Sequence, residues 1–268
     1  MSNTIDNAFK TIFDLEVKHA FQRTGPQLRN FVRVRDAADG DSMVFQKIGA
    51  GVATQKLRNG DVVPMNVDHS TVTVQTEDWY AAEYADKLDQ AKTSINLRDE
   101  YSKAAAMALG RKHDDLIIDS WVSSGASSTG VLASLNLANV LGVLEIVRDL
   151  SADDSLFFVI GNSQYTDLMS VPQFASADYT PNGPFKKSNR RFSWLDFDWL
   201  VLNDLPKTGT TRSCWAGSKN ATGFGINSDI AVEINYVAQK TSWLVNTYMS
   251  VGAAAIDSDG LVEVQVTE

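Results

Sequence analysis

The spacing of apolar and polar residues in the first part of the chain predicts an arm followed by a hairpin. Apolar side chains from Ile5 to Phe21 recur at close to helical spacing, and Gly25-Pro26 ends that pattern. Two extended runs follow, over 42–48 and 52–58. The second run leads into Asn59-Gly60, Val62-Val63-Pro64 follows, and an Asn-Gly pair between extended runs is a strong hairpin signal. We therefore expect an N-terminal arm and then a long β-hairpin.

The pattern changes from strand to helix after the hairpin. Strict alternation over 71–78 predicts a half-buried strand. An apolar stripe then recurs over 95–121 with charged residues between its members, which predicts one helix from about residue 86 to 122. At 1.5 Å per residue such a helix is about 50 Å long, more than a compact domain of this size usually needs. The Ser- and Gly-rich segment 123–130 predicts a linker.

The second half of the chain predicts alternating helices and strands. Residues 133–150 have a helical period, and 156–160 form an uninterrupted apolar run typical of a buried strand. Asn162 is the expected N-cap of a short helix. The remaining strands are expected near 199–202, 229–237, 243–248 and 262–266.

Composition and charge narrow the possible functions. The chain has 268 residues, of which 44% are hydrophobic and 21% charged, as expected for a folded protein and not for a disordered or fibrous one. Its net charge is −9, which disfavours non-specific binding to nucleic acid or to an anionic membrane. Residues 1–40 hold six basic and five acidic side chains, whereas 224–268 hold one basic and six acidic. This asymmetry predicts two surfaces with different neighbours.

Cysteine content and the N-terminal sequence bear on the compartment. Cys214 is the only cysteine, so neither an intramolecular disulfide nor a cysteine-based zinc site is possible. The first 17 residues do not have the pattern of a signal peptide, and no run of 18 apolar residues predicts a membrane span. We expect a cytoplasmic protein.

Motifs that resemble catalytic or binding sites are incomplete. His113-Asp114-Asp115 lacks a partner histidine at ligand spacing, and Gly161-Asn-Ser163 lacks the second glycine of a nucleophile elbow. Gly223-Phe-Gly225 lacks the rest of a phosphate-binding loop and is interpreted as a turn. Asp196 and Asp198 alternate on a predicted strand, and no pocket is defined around them. The sequence predicts no enzymatic activity, no cofactor and no metal site.

The order of the elements, together with several C-terminal motifs, resembles a known family. The motifs are Phe197-Asp-Trp199, then Asn203-Asp-Leu-Pro206, the small-residue run Ala216–Gly225, and the ending Gly252-Ala-Ala-Ala-Ile256-Asp-Ser-Asp-Gly260. With the arm, the long hairpin and the long helix, they resemble the major capsid protein of tailed bacteriophages, of the podophage-like, Hong Kong 97-type coat fold. The likeness extends over nearly the whole chain.

The resemblance implies an α+β coat fold with a defined division of the chain. Such a fold has an N-terminal arm, an extended β-hairpin loop, a peripheral domain of a long spine helix with a β-sheet, and an α/β axial domain. The implied ranges are 1–40 for the arm, 41–78 for the extended loop, 79–127 for the peripheral domain with the spine helix, 128–224 for the axial domain, 225–255 for further peripheral strands and 256–268 for a strand returning to the axial domain.

The resemblance also implies a function. The chain is expected to self-assemble into hexamers and pentamers of an icosahedral shell around double-stranded phage DNA, which it holds without sequence-specific binding. Expected partners are portal and scaffolding proteins, the latter separate because the chain begins at Met1 without a preceding domain. Assembly is expected in the host bacterial cytoplasm, with the product in the virion. The expected contacts between subunits are Gln55, Lys56, Arg58, Asn59 and Asp61 on the extended loop, and Lys186, Lys187, Arg190 and Arg191 on an axial loop.

A second hypothesis belongs to a different class. Residues 128–225 could form an α/β enzyme or a small-molecule-binding protein, with the first half of the chain as an oligomerisation arm. Size distinguishes the two hypotheses. A compact monomer of this length has a radius of gyration of about 18 Å, whereas a coat protein forms particles.

Overall fold

The computed structural model describes residues 25–36, 40–93, 96–150, 155–175 and 190–268. The predicted arm helix over 5–21 and the basic residues Lys186 and Lys187 lie outside these ranges. The described helices are α1 Lys87–Lys92, α2 Leu97–Val122, α3 Leu137–Leu150, α4 Asn162–Met169 and α5 Pro172–Ala175. The described strands are β1 Arg33–Asp36, β2 Ser42–Ile48, β3 His69–Gln75, β4 Glu77–Asp86, β5 Ser127–Leu132, β6 Leu156–Ile160, β7 Arg191–Trp194, β8 Phe197–Val201, β9 Lys207–Thr208, β10 Thr211–Ser218, β11 Thr222–Val237, β12 Ser242–Ala255 and β13 Leu261–Thr267.

The chain divides into two compact units. Among the described residues, the first unit contains 25–26, 78–112 and 228–250, and the second contains 27–77, 113–227 and 251–268. Helix α2 and strands β11 and β12 therefore contribute residues to both units. These units do not test the domain ranges that the resemblance implies, which stay a prediction.

The second unit is built on a mixed sheet. Its strand order is β5-β13-β10-β6-β8-β7, and β9 pairs with β10. Strand β6 runs parallel to β8 and antiparallel to β10, and all five of its residues are buried. A continuous apolar run suits a strand that is covered on both faces. Aromatic rings fill the core, where Trp121 stacks on Phe157 and Phe158 stacks on Trp199.

A four-stranded sheet has the order β1-β11-β12-β4. In the first unit, side chains of α2 lie over aromatic residues of this sheet: Arg98 over Trp243 and Lys112 over Trp79. In the second unit, β1 pairs with β11 in parallel, with Arg33 opposite Gly223 and Arg35 opposite Gly225.

The single helix predicted over 86–122 is wrong, because the structure has two helices there. Helix α1 begins after Asp86, whose side chain accepts a hydrogen bond from Leu88 N, and it ends at Lys92. Thr93 has an extended backbone, which ends the helix, and its N–H and its hydroxyl both donate to the carbonyl of Asp89 in the last turn. The side chain of Gln90 accepts from Leu97 N at the start of α2. Helix α2 alone is about 39 Å long.

Three further expectations about local structure are wrong. The predicted linker 123–130 becomes a turn followed by β5, because β5 pairs with β13 and gives its backbone groups partners that outweigh the low strand propensity of Ser and Gly. Asn162 is the first residue of α4, and Gly161 occupies the N-cap position. Gly223-Phe-Gly225 is not a turn, since it lies inside β11, paired with β1.

Candidate intersubunit surfaces

Strands β2 and β3 form the predicted hairpin. They pair antiparallel from Ser42 opposite Gln75 to Ile48 opposite His69. Only one face of this ladder is buried: Met43, Phe45 and Val74 cluster with Ile256. The buried side chains lie two positions apart along β2, as the alternation of side chains in a half-buried strand requires.

Beyond the ladder, residues 49–68 form the tip of the hairpin. The extended run expected over 52–58 is not part of a strand, and the turn is made where Gly60 N donates to the carbonyl of Leu57. Asn59 has a φ of 64°, a conformation that Asn adopts more readily than most residues. The five residues predicted as loop contacts all lie on this tip and are exposed: Gln55, Lys56, Arg58, Asn59 and Asp61.

The tip also exposes apolar side chains that the sequence argument missed. Five of them are between 58% and 78% exposed: Val52, Leu57, Val62, Val63 and Met65. Folded proteins leave single apolar residues exposed, but a group of them on one projecting loop is typical of an interaction surface. The signal was present in the sequence, because these residues interrupt a segment that otherwise carries Lys56, Arg58 and Asp61.

The two described members of the basic axial loop have different surroundings. Arg190 is exposed, and its backbone carbonyl accepts from Val201 N. The guanidinium of Arg191 instead donates to the carbonyl of Gln27 at 2.5 Å and lies 5.0 Å from the centroid of the Phe31 ring. Arg191 therefore has partners inside its own subunit, which sequence reasoning did not anticipate.

The residues considered for catalysis or metal binding have structural surroundings. Asp114 is buried and accepts hydrogen bonds from Gln27 N and Leu28 N, while the neighbouring His113 ring packs against Phe224 at 4.1 Å. Among the described residues, no group of three or more His, Cys, Asp and Glu side chains is arranged to hold a metal ion. Asp114 therefore fixes the chain at residues 27–28, and His113 contributes to the core beside Phe224.

Two other candidates also differ from a catalytic arrangement. Burial raises the pKa of the Cys214 thiol to about 12, so it is protonated at neutral pH and is not a thiolate nucleophile. The expectation that Asp196 and Asp198 point the same way from one strand is wrong. Asp196 lies in the β7–β8 turn with a φ of 61° and pairs with Arg148, whereas Asp198 lies in β8 and accepts from the Ser193 hydroxyl.

One charged cluster in the second unit was not identified from the sequence. Glu268 accepts hydrogen bonds from Arg212 and from Lys207, and these bonds lower the pKa of its carboxyl to about 2. Arg212 also donates to the carbonyl of Asn203 at 2.7 Å. The cluster joins the end of β13 to the β8–β10 connection. Glu268 lies 56 positions after Arg212 and 61 after Lys207, so no local motif marks the cluster.

Comparison with known protein families identifies the kind of protein that carries these surfaces. A family model described as phage capsid protein matches residues 5–268. The chain belongs to that family. No curated protein matches the sequence. The match covers nearly the whole chain, so the arm, the hairpin and both compact units all fall within the family's extent.

Solved capsid structures share the fold. The capsid of cyanophage P-SCSP1u superposes with a TM-score of 0.80 at 15% identity, covering 100% of this chain and 96% of that one. A structure of Mycobacterium phage Che8 gives 0.75 at 14% identity, with 96% of each chain covered. The head of Helicobacter pylori bacteriophage KHP40 gives 0.75 at 10% identity, with 99% and 97% covered. The chain has the α+β Hong Kong 97-type coat fold.

Family and fold together confirm the predicted function. The protein is a phage capsid protein, a structural component of the virion that forms an icosahedral shell from many copies of itself. Within the described residues, no helix is both long and apolar enough to span a membrane.

Proposed function

We propose that the hairpin tip is the main contact by which each capsid subunit binds its neighbour, in hexamers and pentamers of the shell. The observation that carries this proposal is the exposure of five apolar side chains on a loop that also displays Gln55, Lys56, Arg58, Asn59 and Asp61. Apolar residues surrounded by polar ones are the usual composition of an interface core and its rim.

The basic loop supplies a second contact of a different kind. Lys186, Lys187 and Arg190 meet acidic groups of the next subunit near the capsomer axis, in the axial domain assigned to 128–224. Arg191 has a different role, since its guanidinium already has partners at Gln27 and Phe31. The remaining domain ranges follow the resemblance, with the extended loop at 41–78 and the arm at 1–40.

The relation of the shell to the enclosed DNA follows from the charge of the chain. A subunit with a net charge of −9 repels double-stranded DNA, so the shell encloses the genome without sequence-specific binding. Assembly takes place in the bacterial cytoplasm with scaffolding and portal proteins. The subunit needs no cofactor and has no catalytic activity.

The test replaces the tip while keeping the hairpin root. Gly51 and Met65 approach closely, since a Cβ on Gly51 would lie 2.9 Å from Met65 Sδ, so residues 52–64 can be replaced by a two-residue Asn-Gly turn. We expect a folded subunit that no longer forms particles in light scattering and negative-stain microscopy.

A variant with four substitutions separates the effect of the apolar side chains on assembly from the effect of loop length. Val52, Leu57, Val62 and Val63 are changed together to Ser, and Leu141→Ser on the exposed side of α3 is the control. Assembly at wild-type yield by the four-residue variant contradicts the proposal. Loss of assembly in both variants would mean that removing apolar surface anywhere on the subunit prevents assembly, which also contradicts a specific role of the tip.

A further inference from the structure

The root of the hairpin rests on a floor of small residues. We define the root as 42–48 and 69–75, and the floor as Gly223 and Gly225 of β11 with Gly252 and Ala254 of β12. Gly223 and Gly225 lie two positions apart on one strand, so they share a face. Phe224, between them, points to the opposite face and packs on His113. The Gly-x-Gly motif therefore presents an apolar ring on one face of β11 and bare backbone on the other.

The three glycines of the floor lie so close to the root that a Cβ added to any of them would force atoms of the root to move. A Cβ on Gly223 would lie 2.7 Å from Phe45 Cε2, and one on Gly225 would lie 2.7 Å from Met43 Sδ. A Cβ on Gly252 would lie 2.0 Å from the carbonyl oxygen of Gln75. None of these three glycines has a positive φ. Close approach, and not backbone conformation, is therefore the reason for glycine at these positions.

Polar contacts hold the root on this floor. The guanidinium of Arg33 lies 5.8 Å from the centroid of the Phe45 ring, and Arg35 Nη1 donates to the carbonyl of Val44 at 2.7 Å. Lys47 Nζ lies 2.7 Å from Asp257 Oδ1. Because Arg33 and Arg35 pair with Gly223 and Gly225 in the β1–β11 ladder, the cations and the floor are parts of one surface.

We propose that this floor sets the direction in which the hairpin leaves the subunit, and that Phe45, Gly223 and Gly225 are positioning residues for shell assembly. The inference rests on the proposed role of the tip. Strand β2 is about 23 Å long, so a tilt of about 5° at the root displaces the tip by about 2 Å or more. An interface of closely packed side chains does not tolerate that displacement at every subunit contact.

The test measures the direction of the hairpin separately from assembly. Spin labels are attached to the unassembled subunit at Gln55→Cys on the tip and Ser163→Cys on α4, both exposed, while the native Cys214 is buried and does not react. Gly223→Ala is expected to shift the label distance by several ångströms and to lower the particle yield about tenfold, the equivalent of about 1.4 kcal/mol. Gly142→Ala on α3, where a Cβ meets open space, is the matched control.

A second substitution tests the contact itself. Phe45→Val removes the ring atoms that crowd a Cβ at Gly223, so the double variant is expected to recover the wild-type distance and most of the particle yield. Phe45→Val alone, which leaves the floor intact, is expected to broaden the distance distribution. The Phe45→Val variant keeps the test decisive if Gly223→Ala fails to fold.

The outcomes separate this inference from the proposed function. An unchanged label distance in Gly223→Ala and in Phe45→Val overturns the role of the floor. A shifted label distance with normal assembly also overturns the role of the floor in positioning the hairpin. That result would further contradict the proposal that the tip is the main contact between subunits. Loss of assembly on replacing the tip, with no effect of the floor variants, leaves the proposed function intact and refutes only the floor.

Discussion

Arg191 Nη2 donates a hydrogen bond of 2.5 Å to the backbone carbonyl of Gln27, a residue 164 positions earlier in the chain. The same guanidinium lies over the ring of Phe31, which is buried against Phe157. Arg191, at the start of β7, thus holds residues 27–31 of the second unit. Its neighbour Arg190 is also exposed, but the bond that the structure gives for it is made by its backbone carbonyl, which accepts from Val201 N.

Adjacent arginines are therefore expected to respond differently to the same substitution. Arg191→Ala removes a charge-assisted hydrogen bond and a cation–π contact and should lower the free energy of unfolding by about 1–2 kcal/mol. Arg190→Ala should change it by less than about 0.5 kcal/mol, as at other exposed positions. Urea unfolding of the unassembled subunit measures both. Equal destabilisation by the two variants would contradict the assignment.

A second prediction concerns the buried carboxylate that holds the same segment. Asp114 accepts from Gln27 N at 2.9 Å and from Leu28 N at 3.0 Å. Asp114→Asn places a neutral amide opposite these two donors. We expect it to lower the free energy of unfolding by about 2–3 kcal/mol, because a charge-assisted hydrogen bond is lost and a buried polar group is left without a partner. Asp119→Asn, at an exposed position of the same helix, is the control. Urea midpoints that fall equally in both variants would show that the effect is not due to capping of residues 27–28.

Elements with a clear period could be predicted from the sequence, and elements defined by a distant partner could not. The extended run 42–48 is strand β2, and the apolar run 156–160 is the buried strand β6, both as expected. Strand β5 was missed because its residues have low strand propensity and are ordered by pairing with β13. The break before α2 was missed because the sequence around Thr93 contains neither Gly nor Pro, and the extended backbone of Thr93 is visible only in the structure.

The candidate surfaces show the same division. The polar tip residues were found because Asn59-Gly60 marks a turn, but the exposure of the apolar side chains beside them was not predicted. The floor under the hairpin was missed because a glycine pair does not reveal which ring it accommodates. Only contacts such as Gly223 against Phe45 distinguish a packing surface from a turn.

A third prediction tests the axial contact. Reversing the charge of Lys186, Lys187 and Arg190 together should lower the particle yield about tenfold at low salt, because like charges then face each other across the interface. Raising the ionic strength should reduce the difference from wild type, since exposed charges are screened over about 8–10 Å. Lys92→Glu, on α1 outside this loop, serves as the control in the same light-scattering assay. A defect that does not depend on salt would indicate misfolding and not lost attraction.

A fourth prediction follows from the cluster around Glu268. Its pKa is lowered from 4.5 to about 2 in the folded subunit, mainly by the hydrogen bond from Arg212 and then by that from Lys207. Between these two pH values the unfolded chain binds a proton that the folded chain does not bind, so stability falls as the pH falls. The contribution is fully present above about pH 4.5, and it is lost on acidification towards pH 2. Glu268→Gln removes the titrating group and with it this part of the pH dependence.

The measurement compares the free energy of unfolding of wild type and Glu268→Gln at several pH values. Titrations common to both proteins cancel, so the difference should be largest at neutral pH and should shrink as the pH drops below about 4.5. Glu145→Gln, on the exposed side of α3, should give a difference close to zero throughout. A difference between wild type and Glu268→Gln that stays constant with pH would mean that the carboxylate is not held by Arg212 and Lys207, and that β13 is fixed by its ladder with β10 alone.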